Sequence, residues 1–142
     1  MHFPTYLPRV LTLVLALTLA LTAAAAPANA AAPDVTLADT GLLRDDGQTA
    51  LLEIVVTCAT SGNLNASAAI QQPSGRSVAS GSGWTLGQCS ADDTVHLFVP
   101  VESDYAAFKS GPASVRARVS FYTPNTWESH YEELSGTVRM NK

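Results

Sequence analysis

A hydrolytic centre is the first chemistry that this sequence raises, because Ser90, Asp92, Asp93 and His96 lie within one short segment. A catalytic triad needs a nucleophile, a base and an orienting carboxylate that converge in one pocket. No G-x-S-x-G segment or comparable nucleophile setting surrounds these residues, and His96 falls on the polar face of an alternating segment. We therefore interpret His96 as an exposed surface histidine, and we expect no catalytic residues and no enzymatic activity.

Metal binding is a second chemistry to consider. His130 and Glu132 would share one strand face, and Glu128 could join them through the preceding turn. Zinc sites normally contain more histidine or cysteine than this. The acidic pairs at 45–46 and 92–93 lack the spaced oxygen ligands of a calcium loop and are typical of turns. We expect no metal site and no other cofactor.

The segment 122–131, YTPNTWESHY, concentrates aromatic residues in and beside a turn. Aromatic side chains give a large contact area at a small entropy cost, and loops at the ends of β folds often carry recognition. Trp127 and Glu128 would suit a sugar ring and its hydroxyl protons, or a protein hot spot, although Trp127 could equally fold back over the core. The predicted binding residues are Tyr122, Trp127, Glu128, His130 and Tyr131.

Arg116 and Arg118 project from one face of the same alternating segment. Because the guanidinium group is a planar fork of donors, the two could clamp a carboxylate or a sulfate. The interpretation that we favour is cross-strand pairing with Glu53, Glu102 or Glu133, which would keep that face solvated.

The beginning of the chain is typical of an export signal. One basic residue precedes the apolar run Val10–Leu21, small residues follow, and Ala28-Asn29-Ala30 fits the signal peptidase rule. A membrane span needs about 20 apolar residues, so we favour a cleaved signal peptide over residues 1–30, with an uncleaved anchor as the alternative. Residues 31–142 would then form a single domain that is secreted, either extracellular or associated with the cell wall.

Charge narrows the choice of partners. The 142 residues carry a formal net charge of -4, and removal of Arg9 with the leader would shift it to -5. Without a basic stripe there is no counterion release to drive nucleic-acid binding, and no polybasic contact with a membrane surface. We expect a monomer whose unknown partner is a protein or a glycan outside the cell, with no nucleic acid and no membrane contact after cleavage.

The two cysteines, Cys58 and Cys89, can pair within the chain in only one way. An exported chain meets an oxidising compartment, so we expect them to form a disulfide. The alternatives are free thiols or half of a metal site. In the chain-entropy description, closing a loop of this length stabilises a fold by about 3 to 4 kcal/mol.

Apolar residues alternate with polar ones along most of the remaining sequence. In 50–58, for example, Leu52, Ile54 and Val56 share one face, and Glu53 and Thr57 the other. Short alternating segments separated by turns indicate an all-β fold, and we predict an antiparallel immunoglobulin-like β-sandwich of about seven strands. The clearest strands are 50–58, 94–101, 115–122 and 134–140, and weaker ones begin near residues 35, 66 and 77, the last being rich in glycine and serine.

A resemblance to a known family rests on the order of several short segments. They are Val56-Thr57-Cys58, Gln71-Gln72, Gly81-Ser82-Gly83, Cys89, the alternating strand 94–101 and the segment from Phe108 to Ala117. This order resembles a family of small exported actinobacterial proteins of unknown function over about 42–121. The resemblance implies an immunoglobulin-like sandwich with one disulfide, and it implies no activity.

A second resemblance is shorter. The segment 84–89, WTLGQC, is similar to a segment of the chromoprotein apoproteins that shelter enediyne antibiotics, a family that usually has two disulfides where this chain can form one. This second resemblance implies a carrier that sequesters a small ligand, and a pocket lined by Trp84, Phe98 and Phe108 would favour it. The aromatic segment 122–131 instead indicates a secreted, non-catalytic binding module, which is the function that we favour.

Overall fold

The computed structural model describes residues 31–124 and 129–142, and this part of the chain is all-β. The signal peptide predicted for residues 1–30 lies outside the described residues. No helix in the described part is long and apolar enough to cross a membrane. Its seven strands are β1 (Asp34–Arg44), β2 (Thr49–Thr57), β3 (Gly62–Ser74), β4 (Ser77–Cys89), β5 (Thr94–Ser103), β6 (Gly111–Tyr122) and β7 (Ser129–Asn141), and a 3-10 turn, Asp45–Gly47, joins β1 to β2.

The strands close into a barrel in the order β1-β2-β5-β4-β3-β6-β7. The ring is completed by a short parallel pairing, in which residues 40–42 of β1 lie beside residues 139–141 of β7. The predicted all-β class is therefore confirmed. The predicted immunoglobulin-like sandwich is wrong, and so is the sandwich that the family resemblance implied.

The reason for this error is that alternation specifies only that one face of each strand is buried. A sandwich and a barrel both satisfy that requirement. They differ in whether the edge strands pair, and the pairing that closes this barrel joins the two ends of the described chain, β1 with β7. The alternating pattern contains no information about these contacts.

The barrel interior is packed with the apolar residues of the alternating strands. Leu52, Ile54 and Val56 of β2 are fully buried, and Val115 and Val119 of β6 are buried in the same way, as predicted. β3 contributes the small side chains of Ala66 and Ala68 in its middle, between the larger Leu64 and Ile70. The largest fully buried side chains are Phe108, Phe121, Leu52, Ile54, Leu64, Ile70 and Met140.

Strand β4 joins its two neighbours very differently. It pairs with β3 along its whole length, but with β5 only at Gly81–Ser103 and Ser82–Glu102. Next along the strand, the backbone at Gly83 lies so close to β5 that a Cβ there would overlap the carbonyl oxygen of Pro100. Glycine is therefore needed to let the two backbones approach, which explains a composition that otherwise weakens a strand.

The predicted disulfide between Cys58 and Cys89 is confirmed, with its Cα atoms 6.2 Å apart. It links the end of β4 to the residue that follows β2, across the intervening strand β5. Beside it, the backbone N–H of Cys58 donates to the carbonyl oxygen of Asp93, and that of Asp92 donates to the carbonyl oxygen of Cys58. The bridge thus holds β4 in place where its hydrogen-bonded ladder with β5 has ended.

A buried glutamine organises the opposite end of the barrel. Gln72 is 3% exposed, its Nε2 donates to the carbonyl oxygen of Lys109 at 2.7 Å, and the Lys109 N–H donates to its Oε1 at 2.7 Å. The N–H of Phe108 donates to the carbonyl oxygen of Gly47 at 2.8 Å. Gly47 has φ +88°, and a Cβ there would overlap the Phe108 carbonyl. These contacts hold the ring of Phe108 in the core.

Candidate functional site

A concave groove of about 890 Å³ lies on the outside of the barrel, across β4, β3, β6 and β7. We call it the outer groove. It forms because β3 carries small side chains on both of its faces in the segment ASAA, 66–69, so the middle of this wall is low. The outward side chains that define the groove are Ser67, Ala69, Trp84, Arg116, Arg118 and Glu133.

Strand register places these side chains in a continuous row. Trp84 lies opposite Ser67, Ser67 lies opposite Arg118, and Arg118 lies opposite Glu133. Adjacent strands are about 4.8 Å apart, so Trp84 and Arg118 stand on backbones separated by about 10 Å. The small side chain of Ser67 occupies the floor between them. The neighbouring row consists of Ser82, Ala69, Arg116 and Ser135.

The walls of the groove differ in chemistry. On one side, Trp84 is 65% exposed, so its indole presents a large flat apolar surface to the groove. On the other side are the two guanidinium groups, and the Cζ of Arg118 lies 4.4 Å from the centre of the Tyr131 ring. This cation–π contact orients the guanidinium of Arg118.

Neither arginine forms the cross-strand ion pair that the sequence suggested. Within residues 31–124 and 129–142, His96 and Glu53 form an ion pair. No carboxylate oxygen of these residues lies within 4.0 Å of a guanidinium nitrogen of Arg116 or Arg118. Glu133 is the ladder neighbour of Arg118 without being its ion-pair partner. For the described residues, the expected pairing with Glu53, Glu102 or Glu133 is therefore wrong.

On the outer face of β2 and β5, in contrast to the groove, polar side chains of neighbouring strands pair with each other. Nδ1 of His96 and Oε1 of Glu53 are 2.6 Å apart, and the hydroxyl groups of Thr57 and Thr94 are 3.1 Å apart. His96 is exposed, as predicted. It is directed to Glu53 on the neighbouring strand and not to the acidic turn that follows Ser90, so the residues suggested for a triad do not converge.

The residues predicted for ligand binding separate into three groups. Trp127 and Glu128 lie outside the described residues. Tyr122 and Tyr131 are exposed on the outer face, and Tyr131 adjoins the outer groove through Arg118. His130 is partly buried and lies opposite Phe121 in the ladder, so its side chain belongs to the inner face, where its Nε2 has no hydrogen-bond partner in the described part of the chain.

The residues suggested for a carrier pocket do not meet. Trp84 lies in the outer groove, Phe98 is 53% exposed on the outer face of β5, and Phe108 is 2% exposed in the core. The described segments also contain no group of three histidine, cysteine, aspartate or glutamate side chains placed to hold a metal ion.

The position of Trp84 on the same surface as the two arginines could not be predicted from the sequence. The three residues are far apart along the chain, and only the register of β3 between β4 and β6 brings them to one surface. In β4 the apolar residues Val78, Trp84 and Leu86 fall in one phase of the strand, a pattern typical of a buried face, yet all three are exposed.

No protein-family model and no curated protein matches this sequence. The fold is similar to a solution structure of a protein assigned to the late embryogenesis abundant (LEA) proteins. The two chains are 19% identical with a TM-score of 0.46, and the similarity covers 76% of this chain and 71% of the other.

Proposed function

We propose that this protein is a secreted, non-catalytic binding module that holds its ligand in the outer groove. The observation that carries the proposal is the meeting of an exposed tryptophan with two arginines across a floor of small side chains. These are the side chains of a recognition surface, because they supply a flat apolar anchor and fixed donors of hydrogen bonds.

The dimensions of the groove support the same proposal. Ligand sites are clefts of about 300 to 1,000 Å³, and the outer groove has a volume of about 890 Å³. Its side chains all stand on strands of a closed barrel. Side chains on regular elements are held more precisely than side chains on loops, so the free protein already has the shape of the site.

Secretion is supported by two observations of different kinds. The first thirty residues have the pattern of an export signal, and the chain contains a disulfide, which is compatible with an oxidising compartment. We expect the mature protein to be recovered from the culture medium with Ala31 as its first residue. Mass spectrometry of secreted and cell-associated fractions measures this directly.

Tyr131 connects the predicted binding residues to the outer groove, because its ring lies against the guanidinium of Arg118. Trp127 and Glu128 lie outside the described residues, and they stay predicted contributors to binding. We propose that the groove itself provides the main contacts.

Filling the groove tests the proposal. Ala69 is exposed on the groove floor, so Ala69→Trp should block the site and leave the core intact. The matched control is Thr36→Trp, which adds the same bulk at an exposed position of β1. The measurement is capture from the culture medium by immobilised protein, analysed by mass spectrometry.

The expected result is equal capture by wild type and Thr36→Trp and none by Ala69→Trp. Undiminished capture by Ala69→Trp would overturn the groove as the binding site. Loss of capture in Trp127→Ala, with capture retained in Ala69→Trp, would assign the function to the loop instead.

A further inference from the structure

The charge of the outer groove does not match that of the whole protein. The sequence has 12 acidic and 8 basic residues, yet Arg116 and Arg118 stand side by side on the groove wall without a carboxylate partner among the described residues. Two guanidinium groups that share one face create a local positive potential, which focuses a negatively charged ligand on this site.

The geometry of the two arginines suits a carboxylate or a sulfate. Arginine pairs with planar and tetrahedral oxyanions through two parallel hydrogen bonds. The stacking of Arg118 on Tyr131 occupies one face of its guanidinium. The N–H donors lie at the edges of that plane, so they stay free to bind an anion.

The opposite wall suits a ring with an apolar face. The Trp84 indole is exposed and flat, and the backbone of Trp84 is about two strand spacings, or 10 Å, from the backbone of Arg118. The floor between them carries the hydroxyl of Ser67, and Glu133 supplies a carboxylate acceptor beside Arg118. Hydroxyl groups on a ring lying on this floor would find both donors and acceptors.

We propose that the outer groove binds an anionic sugar, a pyranose ring that stacks on Trp84 and carries a carboxylate or sulfate held by Arg116 and Arg118. This inference rests on the proposed function and names its class of ligand. A nucleic acid is disfavoured, because two arginines on a net negative protein do not form a basic stripe. An acidic peptide is the competing ligand, and the test distinguishes it.

The experiment is isothermal titration of the disulfide-bonded protein with four probes. They are tetragalacturonate, sulfated maltotetraose, neutral maltotetraose and tetraglutamate. We expect at least one of the two anionic sugars to bind about tenfold or more tightly than the neutral sugar, since charge-assisted hydrogen bonds contribute at least that much. The first two probes distinguish a carboxylate from a sulfate ligand.

A matched pair of variants assigns the charge effect to the groove. Arg116→Gln/Arg118→Gln should reduce the affinity for the anionic sugar to that for the neutral one. Arg44→Gln/Arg76→Gln changes the net charge equally at exposed positions outside the groove lining, and it should retain the wild-type affinity. Circular dichroism confirms that both variants fold.

Three results would overturn the inference. If neutral and anionic sugars bind with equal affinity, and Trp84→Ala abolishes both, the groove is a site for a neutral sugar. The proposed recognition of a carboxylate or sulfate would then be wrong. Tetraglutamate binding as tightly as the sugars, with the same dependence on the arginines, would assign the groove to an acidic peptide. Binding of none of the four probes would reject the anionic sugar, while the capture experiment with Ala69→Trp still decides the proposed function.

Discussion

The two outer faces of the barrel use similar residue types in different ways. On the face of β2 and β5, the charged side chains Glu53 and His96 pair with each other beside the exposed ring of Phe98. On the face of the outer groove, Arg116 and Arg118 have no ion-pair partner among the described residues. Trp84 lies there beside the small side chains of the groove floor. One face pairs its own charges, and the other leaves two guanidinium groups without an ion-pair partner in the part of the chain that the structure describes.

The contrast between these faces shows that side-chain size on a single strand can create a concave surface. β3 carries Ser67 and Ala69 outward and Ala66 and Ala68 inward, so the wall is low along its middle. The neighbouring strands supply the tall and charged groups. A concave surface therefore arises in a barrel wall without any long loop.

The largest expected effect concerns β4, the strand of the groove face that adjoins β5. Cys58→Ala/Cys89→Ala should lower the free energy of unfolding by about 3 to 4 kcal/mol, because the unfolded chain regains the entropy of the opened loop. Denaturant titration of the variant and the wild type measures the difference.

Hydrogen exchange in the same variant sharpens the comparison of faces. Because the bridge holds β4 beyond its short ladder with β5, amide protection should fall more in β4 than in β2. Equal losses in the two strands would show that the bridge stabilises both faces alike.

The next largest effect compares two exposed aromatic residues. Trp84→Ala should weaken binding of the preferred anionic tetrasaccharide about tenfold, which is the size expected for an aromatic anchor. Phe98→Ala removes a similarly exposed ring from the opposite face and should leave the affinity unchanged. Calorimetric titration measures the affinity of each variant. A loss of affinity in Phe98→Ala would place the binding site on the face of β2 and β5 instead of the outer groove.

A smaller effect is expected at Tyr131, which positions Arg118. Tyr131→Leu should weaken binding of the same anionic probe about two- to fivefold, because a partly exposed cation–π contact contributes about 0.5 to 1 kcal/mol. Tyr131→Phe keeps the ring and should restore the affinity. If Tyr131→Phe binds as weakly as Tyr131→Leu, the hydroxyl and not the stacking is responsible.

The smallest effect is expected at the paired face. Glu53→Gln should change the free energy of unfolding by less than about 1 kcal/mol, because exposed ion pairs contribute little, and it should leave ligand affinity unchanged. Denaturant titration and calorimetry of this variant provide the measurements. A clear loss of affinity would mean that the two faces are coupled.

Much of the local structure could be predicted from the sequence. The alternation in 50–58 and 115–122 located β2 and β6, and the single possible cysteine pair located the bridge. These predictions hold because period-two burial and cysteine pairing depend on few residues. The glycines of β4 make it a weak strand in the sequence, because the close approach of Gly83 to Pro100 that requires glycine depends on a strand later in the chain.

The closure of the barrel and the composition of the site could not be predicted in this way. Both depend on register between distant strands, such as β1 with β7 and Ser67 with its two neighbours Trp84 and Arg118. The hydrogen bonds of Gln72 with Lys109 are another case, because a polar residue in an alternating strand gives no sign that it will be buried. Of the predicted loop residues, Tyr131 is the one that contacts the groove.

Nuclear magnetic resonance titration of the isotope-labelled protein with the preferred anionic tetrasaccharide is the most direct test of the groove as the binding site. If the ligand binds in the outer groove, the largest shifts should occur at the Trp84 indole N–H, the Ser67 amide and the Nε–H groups of Arg116 and Arg118. Shifts confined to residues 122–131, or centred on Phe98 and His96, would contradict binding in the groove.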